Sequence, residues 1–343
     1  MPVLPGMYFP KLRIWKRLVV IGIMRDRFDR NINYMRISVT DQCNLRCKYC
    51  MPYGTDTSDM TRESQILSYE EICQVAQAAL QIGITHFRIT GGEPLVREGI
   101  TELVSMLKSL PGVDSVSMTT NGTLLSQYAG ELERAGIDRI NVSLDTVDRD
   151  TYRQITGADC LKQVMDGIEE ALKEGIFVQL NAVNREGIDW QSLIKFADAN
   201  RIPLRFIEMM PIGHGKDYMG CNNDELKAKI DKKYGAPVFV TGPGKGPAEY
   251  YRYEKLSAEI GFINGMHHKF CRQCNRVRLT CDGFLKSCLC YDTGVNLRSA
   301  LRRKESGCLA EMMKKVVFEK PEGHCFDLPQ NITEKRDMVR IGG

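Results

Sequence analysis

Short runs of apolar and β-branched residues alternate along the first two thirds of the chain with longer stretches whose apolar residues recur every three or four positions. The runs begin at Tyr34, His86, Ser115, Arg139, Phe177 and Pro203 and read YMRISVT, HFRIT, SVSMTTN, RINVSLD, FVQLNAV and PLRFIEMM. Runs of this kind predict buried strands, whereas the longer stretches predict helices that end at Gly83, Gly136 and Gly175.

The repeated order of strand, helix and strand indicates a parallel sheet with right-handed crossovers. Six such units suit an α/β fold, either an open partial (β/α)6 barrel of the TIM type or a doubly wound sheet. In both architectures the functional groups are expected at the carboxyl ends of the strands.

The alternation stops near residue 235, and the glycine- and proline-rich segment TGPGKGP (241–247) predicts a linker or a long turn. We therefore predict that the strand and helix units form one domain over residues 24–235 and that a smaller, metal-supported domain covers residues 236–343. Residues 1–23 are interpreted as an extension and not as a signal peptide, because charged residues follow their apolar run where a cleavage site needs small ones.

Charge and cysteine content narrow the class of protein. The 47 basic and 43 acidic residues leave a net charge of +4, which is too balanced for a protein that binds nucleic acid or a membrane surface. No apolar run approaches the roughly 20 residues that a membrane span needs. Thirteen cysteines, an odd number in a chain of 343 residues, favour a metal or redox role in a reducing compartment over disulfides. We predict a cytoplasmic protein.

The first cysteine cluster directly follows the first predicted strand. Cys43, Cys47 and Cys50 are spaced C-x3-C-x2-C. Three thiolates can hold three irons of a [4Fe-4S] cluster and leave one iron open to another ligand. The alternatives are a structural zinc site or three unrelated thiols, but structural zinc needs four protein ligands and no fourth cysteine or histidine lies nearby.

A second cluster lies in the C-terminal part, and its three cysteines are Cys271, Cys274 and Cys288. Their C-x2-C-x13-C spacing again suits a cubane with one open iron, although Cys281 or Cys290 remains available as a fourth ligand. A zinc ribbon is a stronger alternative here, because it also uses C-x2-C pairs. Arg276 and Arg278 favour a functional site, since two adjacent guanidinium groups are well suited to gripping phosphate.

Several motifs resemble known enzymes. The loop CNLRCKYC resembles the cluster motif of the radical S-adenosylmethionine superfamily, and ITGGEP (89–94) resembles its cosubstrate-binding stretch. From about Met24 to Gly343 the chain resembles the GTP 3′,8-cyclase family of molybdenum cofactor biosynthesis. The segments that carry this resemblance are MRISVTDQC, GGEP, TTNG, NVSLD, LRFIEMMP, CNRVR, DGFLKSCL and the final IGG.

The resemblance implies an open partial barrel with a C-terminal iron–sulfur module, and it assigns roles to individual residues. Two [4Fe-4S] clusters would be held by Cys43, Cys47, Cys50, Cys271, Cys274 and Cys288. S-adenosylmethionine would contact Tyr49, Gly92, Ser143 and Met210. GTP would lie near Arg36, Arg88, Thr119, Arg276 and Arg278. The implied catalytic residues are Arg276 and Arg278 with a tail, Gly342 and Gly343, that reaches into the site. Arg36 and Arg88 interrupt apolar strands, where an unpaired charge is costly.

The implied reaction is radical cyclisation of GTP to (8S)-3′,8-cyclo-7,8-dihydroguanosine 5′-triphosphate. A 5′-deoxyadenosyl radical would abstract hydrogen from C3′ of the ribose, and the ribose radical would attack C8 of guanine. The implied partners are GTP, an electron donor such as flavodoxin or ferredoxin, and the next enzyme of the pathway. Nucleic acid and membrane are not expected as partners, and the chain is expected to be a monomer or a homodimer.

Two positions depart from the family, and two other functions stay open. His86 and Gln179 stand where the family usually has lysine, which weakens two implied triphosphate contacts.

A radical enzyme that acts on another substrate, such as a peptide maturase with an auxiliary cluster, is the first alternative function. Its usual C-x2-C-x5-C-x3-C core does not match, because six residues separate Cys274 from Cys281 and six more separate Cys281 from Cys288. The second alternative is a non-enzymatic iron or zinc protein such as a regulator.

Overall fold

The computed structural model describes residues 24–54, 65–218, 220–244, 246–303 and 306–342. The interpreted extension over residues 1–23 and the last residue of the tail, Gly343, lie outside the described residues. Within the described ranges, no helix is both long enough and apolar enough to cross a bilayer.

Twelve strands and nine α-helices are present in the described ranges. The strands are β1 (Tyr34–Ser38), β2 (His86–Thr90), β3 (Ser115–Thr120), β4 (Arg139–Ser143), β5 (Val178–Asn184), β6 (Leu204–Glu208), β7 (Val238–Val240), β8 (Glu249–Arg252), β9 (Ile260–Ile263), β10 (Arg276–Leu279), β11 (Phe284–Lys286) and β12 (Gly294–Asn296). The helices are α1 (Tyr69–Gln81), α2 (Ile100–Lys108), α3 (Leu125–Arg134), α4 (Arg149–Thr156), α5 (Leu161–Lys173), α6 (Trp190–Ala199), α7 (Asn223–Tyr234), α8 (Arg298–Arg302) and α9 (Leu309–Phe318).

The strands form one sheet in the order β12-β11-β10-β1-β2-β3-β4-β5-β6-β9-β8-β7. All neighbours from β10 to β9 in this order are parallel, and antiparallel strands finish both edges. In the described part of the chain the two edge strands do not pair with each other, so the barrel is open. The predicted α/β class, the six strands β1–β6 and the open partial barrel are confirmed.

The helix ends follow the predicted turn chemistry. Gly83, Gly136 and Gly175 each follow a helix with a positive φ, between 77° and 85°. This left-handed backbone is accessible to glycine at little cost, so each helix stops there and the chain turns toward the next strand. At the other end of α1, Ser68 and Glu71 cap each other's backbone in a capping box.

The sheet continues across residue 235. Strand β9 extends it beside β6, and β10 extends it beside β1, so two strands of the C-terminal segment lie parallel to the first six. The predicted turn at 241–247 connects β7 to β8 at one edge. The second cysteine cluster is thereby brought next to the first strand.

Alternation along the strands separates the core from the interior of the barrel. Phe87 and Ile89 are completely buried in the apolar core under the helices. The intervening Arg88 points to the opposite face, because successive side chains of a strand alternate. In the register of the sheet, Arg88 pairs with Arg36, and Arg36 pairs with Arg278. Three arginines therefore form a row across β2, β1 and β10.

Candidate active site

Both cysteine clusters line one cavity of about 360 Å³ at the carboxyl ends of the parallel strands. This volume lies within the range of small-molecule sites. The thiols on its wall are Cys43, Cys47, Cys50, Cys271, Cys274 and Cys288. The tertiary structure thus places two groups of three cysteines in a single chamber, although more than 200 residues separate them in sequence.

The first cysteine loop is shaped by backbone hydrogen bonds. The amides of Cys50 and Met51 both donate to the carbonyl oxygen of Cys47, at 3.0 and 2.8 Å. The amides of Arg46 and Lys48 donate to carbonyl oxygens in the last turn of α4. The loop is therefore held by α4 independently of its side chains, which leaves the three thiols free to face the cavity.

The chemistry of these thiols fits an iron–sulfur cluster. Burial raises the pKa of Cys43, and raises the pKa of Cys50 to about 12. Burial also raises the pKa of Cys47 well above its usual value, and the neighbouring Cys50 and Cys43 thiols raise it further. Half-buried thiols whose pKa values are raised in this way need a strong local cation to become thiolates, and iron supplies it.

The second group of thiols has a different electrostatic setting. The Sγ of Cys271 accepts a hydrogen bond from the amide of His324 at 3.4 Å. Burial alone would raise the pKa of Cys274, but the cations Lys320 and Arg276 outweigh it and lower that pKa. Since a ligand must be a thiolate, this cationic surrounding prepares Cys274 for metal binding.

The other two cysteines of this region lie elsewhere. In the part of the chain that the structure describes, neither Cys281 nor Cys290 is on the cavity wall. Cys281 is buried at the end of β10, and the thiol of Cys290 lies 2.8 Å from that of Cys325. The cavity therefore presents three thiols on this side, which is the number that leaves one iron of a cubane open.

A site for a single metal ion needs several ligands close together around that ion. Among the described residues, no three histidine, cysteine or carboxylate side chains converge closely enough to share one ion. In a cubane each thiolate holds its own iron, so the ligands stand further apart. Three thiols in each group suit a cubane with one open iron, whereas a structural zinc site needs four protein ligands.

The GGEP turn packs directly on the start of the cysteine loop. The amide of Gly92 donates to the carbonyl oxygen of Thr40 at 2.7 Å, and a Cβ on Gly92 would overlap the backbone of Gln42. Gly92 therefore allows two chain segments to touch where both meet the cavity. Glu93 is buried beneath the turn, and burial raises its pKa to about 7 although Asn121 and Thr120 donate hydrogen bonds to it.

The other implied cosubstrate residues also line this part of the cavity. Ser143 ends β4, Met210 follows β6, and Tyr49 lies inside the cysteine loop. The hydroxyl of Tyr49 donates to Asp145 at 2.7 Å, while Asp145 accepts a second hydrogen bond from the amide of Val183 at 2.8 Å. Asp145 was part of a recognised motif but was not singled out from the sequence. Its burial, which raises its pKa, is visible only in the fold.

Cations also line the cavity. Arg36, Arg276 and Arg278 face the cavity together with Thr119. Burial lowers the pKa of Arg36 well below its usual value, and the adjacent Arg278 and Arg88 lower it further. Burial likewise lowers the pKa of Arg278 to about 10. Guanidinium groups packed this closely repel one another, and a polyphosphate would relieve that repulsion with paired hydrogen bonds.

The C-terminal tail lies against the same cavity, which Met338 and Val339 line, while Gly342 lies just off its wall among the described residues. The carbonyl oxygen of Gly342 accepts a hydrogen bond from Nη1 of Arg278 at 2.7 Å. Gly342 has φ +74°, and a Cβ at this position would lie 2.9 Å from Oγ1 of Thr90 and 3.4 Å from Cβ of Ser38. The tail therefore passes over the ends of β1 and β2, in a space where only glycine fits without strain.

Comparisons with known proteins agree with this geometry. The families described as "Radical SAM superfamily" and "Molybdenum Cofactor Synthesis C" match residues 37–199 and 202–326. A protein of Clostridium perfringens named GTP 3′,8-cyclase is 41% identical over 329 residues, which cover 93% of this chain and 100% of that protein. The chain belongs to the GTP 3′,8-cyclase family.

Two further comparisons support the family and the fold. A GTP 3′,8-cyclase of Petrotoga mobilis is 40% identical over 93% of this chain and 100% of that protein. The crystal structure of SuiB from Streptococcus suis, bound to S-adenosylmethionine, superposes with a TM-score of 0.58 at 14% identity. It covers 90% of this chain and 77% of that one, and at this identity it shows a shared fold.

In this family member, three of the positions that the sequence places near the triphosphate do not line the cavity, unlike Arg36, Arg276 and Arg278. Within the described residues, Arg88, His86 and Gln179 are not on the cavity wall. Arg88 donates to Oγ of Ser117 at 3.2 Å, and Nδ1 of His86 lies 2.9 Å from Oγ of Ser115. These side chains lie further from the carboxyl ends of the strands than the thiols do.

Gln179 is completely buried, and its amide donates to the hydroxyl of Tyr250. Around it lie two arginines that were not singled out from the sequence. Arg205 donates to Oδ1 of Asn181 at 2.8 Å and to Oδ1 of Asn141 at 2.9 Å, and burial lowers its pKa to about 10. Arg139 donates to a carbonyl oxygen of the 241–247 turn. Arg205 interrupts an apolar strand just as Arg36 does, so the costly placement of a charge among apolar residues could have identified it from the sequence.

Proposed function

We propose that this protein is a radical S-adenosylmethionine enzyme that converts GTP to (8S)-3′,8-cyclo-7,8-dihydroguanosine 5′-triphosphate, at the start of molybdenum cofactor biosynthesis. One observation carries the proposal: two groups of three thiols share a cavity with Arg36, Arg276 and Arg278, and Arg278 binds the Gly342 tail. The relatives named GTP 3′,8-cyclase support the same substrate.

The two groups of thiols fit two [4Fe-4S] clusters. Cys43, Cys47 and Cys50 would hold the cluster that binds S-adenosylmethionine, and the second group would hold the one near GTP. When bound, the first cluster supplies the electron that cleaves the sulfonium of S-adenosylmethionine to methionine and a 5′-deoxyadenosyl radical.

The chain itself supplies binding, orientation and exclusion of water. Tyr49, Gly92, Ser143 and Met210 line the side where the cosubstrate would lie, and Asp145 orients the Tyr49 hydroxyl. Across the cavity, the arginines would hold the triphosphate so that C3′ of the ribose faces the cosubstrate. Enclosure by the strand ends keeps water from a reactive radical.

Partners and location follow from the chemistry. A single-electron donor such as flavodoxin or ferredoxin is needed to reduce the first cluster, and the cyclised nucleotide passes to the next enzyme of the pathway. A reducing, cytoplasmic setting suits a chain with thirteen cysteines. The chain would act as a monomer or a homodimer, without nucleic acid or membrane.

The direct test is product identification. Anaerobically reconstituted and reduced protein is incubated with GTP and S-adenosylmethionine, and the nucleotide product is identified by mass spectrometry and nuclear magnetic resonance. We expect the 3′,8-cyclised nucleotide together with 5′-deoxyadenosine. Formation of 5′-deoxyadenosine with unchanged GTP would contradict the proposed substrate and favour another radical enzyme, whereas absence of both products would favour a non-enzymatic iron protein.

Exchange of Gly342 for Ala tests the tail. We expect cyclisation to fall at least tenfold, because a left-handed alanine costs about 1–2 kcal/mol and its Cβ would push against Thr90. Cleavage of S-adenosylmethionine without GTP should persist. The matched control is Gly175→Ala, which has a similar φ of +77° but no atom within 4 Å of the added Cβ. Equal rates of cyclisation in the two variants would contradict a role for the tail.

Restoration of the family's lysine tests how the triphosphate is held. Gln179 is buried off the cavity wall, so a lysine at this position has to extend its longer side chain to the cavity to contact the nucleotide. If it reaches the triphosphate, Gln179→Lys tightens GTP binding about tenfold or more, since a charge-assisted hydrogen bond contributes about 1.5–3 kcal/mol. Without nucleotide the variant should melt at a lower temperature, because the new cation is buried near Arg205. Gln179→Met is the control, since it removes the same hydrogen bond without adding charge. Anaerobic calorimetric titration with GTP decides, and equal affinity in parent and Gln179→Lys would show that the arginines suffice.

A further inference from the structure

The side chain of Arg30, in the segment before β1, contacts the turn that carries the first thiol of the second cysteine group. Nη1 of Arg30 donates to the carbonyl oxygens of Cys271 and Glu322, both at 2.8 Å, and Nη2 donates to that of Pro321 at 2.6 Å. These partners are more than 240 residues away in sequence. A single guanidinium group thus joins the N-terminal segment to two loops of the C-terminal part.

The direction of this guanidinium group is set from its other side. Nε of Arg30 donates to Oδ2 of Asp26 at 2.6 Å, and the amide of Arg30 donates to Oδ1 of Asp26 at 3.0 Å. The side chain of Asp26 is completely buried, and that of Arg30 is 5% exposed. Moving or removing either partner of such a buried pair would leave an uncompensated charge, so Asp26 and Arg30 hold each other in place.

The two loops that Arg30 joins are the ones that surround the thiol of Cys271. One is the 3₁₀ turn that carries Cys271 itself, and the other is the loop 321–324, whose His324 amide donates to Sγ of Cys271. The planar fork of arginine can hold several carbonyl oxygens at fixed angles, which the point charge of lysine cannot. Arg30 therefore sets the distance between the Cys271 turn and the loop that covers it.

We propose that Arg30 is a positioning residue for the second iron–sulfur cluster, acting through the turn that carries Cys271 and held in place by Asp26. This inference rests on the proposed function, because it takes Cys271, Cys274 and Cys288 as cluster ligands. It makes the segment before the first strand part of the C-terminal cluster site. The cluster at Cys43, Cys47 and Cys50 should not depend on Arg30.

The test compares two pairs of the same kind. Arg30→Gln removes the buried contact, and the control Arg25→Gln removes an Arg–Asp pair of equal spacing and equal 2.6 Å length, whose side chains are 55% and 77% exposed. Both variants are reconstituted anaerobically as full chains. Iron per chain, the electron paramagnetic resonance spectrum of the reduced clusters, and cleavage of S-adenosylmethionine without GTP are measured.

For Arg30→Gln we expect loss of about half of the iron, or a changed signal from the second cluster, with cleavage of S-adenosylmethionine within twofold of the parent. Arg25→Gln should keep the iron and both signals. If Arg30→Gln is insoluble, Arg30→Lys is measured in the same way, because it keeps the buried charge but not the fork. The expected result is the same.

Parental iron content with an unchanged spectrum would overturn the proposal. Loss of both clusters, or of S-adenosylmethionine cleavage, would also overturn it, since Arg30 would then support the fold as a whole. Neither iron content nor the spectrum depends on which nucleotide the enzyme cyclises. A failure of the proposed GTP reaction is therefore distinguishable from a failure of this inference.

Discussion

Exchange of Cys47 for Ala is expected to reduce 5′-deoxyadenosine formation to the level seen without protein. The backbone of the loop should survive, because the hydrogen bonds to the carbonyl oxygen of Cys47 do not involve its side chain. The first cluster would keep only Cys43 and Cys50 as protein ligands, and a cubane with two such ligands binds the cosubstrate poorly or falls apart. Anaerobic incubation with S-adenosylmethionine and a reductant, followed by chromatography, measures the product.

The matched control for this variant is Cys160→Ala. Cys160 is half-buried at the start of α5 and is not on the cavity wall in the described part of the chain. Its removal should leave cleavage of S-adenosylmethionine and the iron content unchanged. Undiminished cleavage in Cys47→Ala would show that the first loop does not hold the cluster, and the assignment of the enzyme class would fail with it.

Exchange of Cys274 for Ala is expected to abolish cyclisation of GTP while 5′-deoxyadenosine still forms in an uncoupled reaction. The reason is that Cys274 lines the cavity with Arg276 and Lys320 as its charged neighbours and is not part of the first cysteine loop. Iron should fall from about eight to about four atoms per chain, since a [4Fe-4S] cluster depends on its thiolates. Iron assay, nucleotide analysis and 5′-deoxyadenosine analysis on the same sample separate the roles of the two clusters.

Cys290→Ala is the control that decides whether the second cluster has an open iron. Its thiol contacts Cys325, so the variant should keep about eight irons and most of the cyclisation activity. Loss of half of the iron in Cys290→Ala, or in Cys281→Ala, would indicate a fourth cysteine ligand. Direct binding of GTP to an open iron of that cluster would then be wrong, although the second cluster itself would stand.

Much of the barrel was predictable because its signals are local. Strand β2 shows an alternation in which Phe87 and Ile89 are buried and Arg88 is not, and the helices end at glycines with positive φ. Each of these features depends on residues within one turn or one strand. The same holds for the first cysteine loop and for the pair Cys271 and Cys274, whose thiols are only a few residues apart, whereas thirteen residues separate Cys274 from Cys288.

The strands β9 and β10 were not predicted, and their size explains why. Each has four residues, and neither is followed by a helix of the repeating unit. Their place in the sheet comes from pairing with β6 and β1, over separations of about 56 and 242 residues. Pairing over such distances leaves no periodic pattern in the sequence.

Buried polar contacts between distant segments were equally invisible. Asp145 was quoted within a motif, but the hydrogen bond that commits it to Tyr49 requires β4 to lie beside the cysteine loop. Arg205 was quoted within a strand, yet its amide partners come from β4 and β5. Arg30 lies in a stretch of alternating charges, a pattern typical of an exposed segment. In the structure Arg30 is buried and donates hydrogen bonds to three carbonyl oxygens.

The sequence by itself determined the parallel α/β organisation and the two cysteine groups, because alternating apolar positions and cysteine spacings encode them. The resemblance of its motifs to known enzymes added the open barrel and the family. Only the tertiary structure decided that the two groups share one cavity and that Arg36, Arg88 and Arg278 form a row. It also decided that His86 and Gln179 do not line that cavity. The physical reason is strand pairing. When β10 pairs with β1, it carries Arg278 and the second cysteine group to the first strand, and burial then sets the charge and the hydrogen bonds of each side chain.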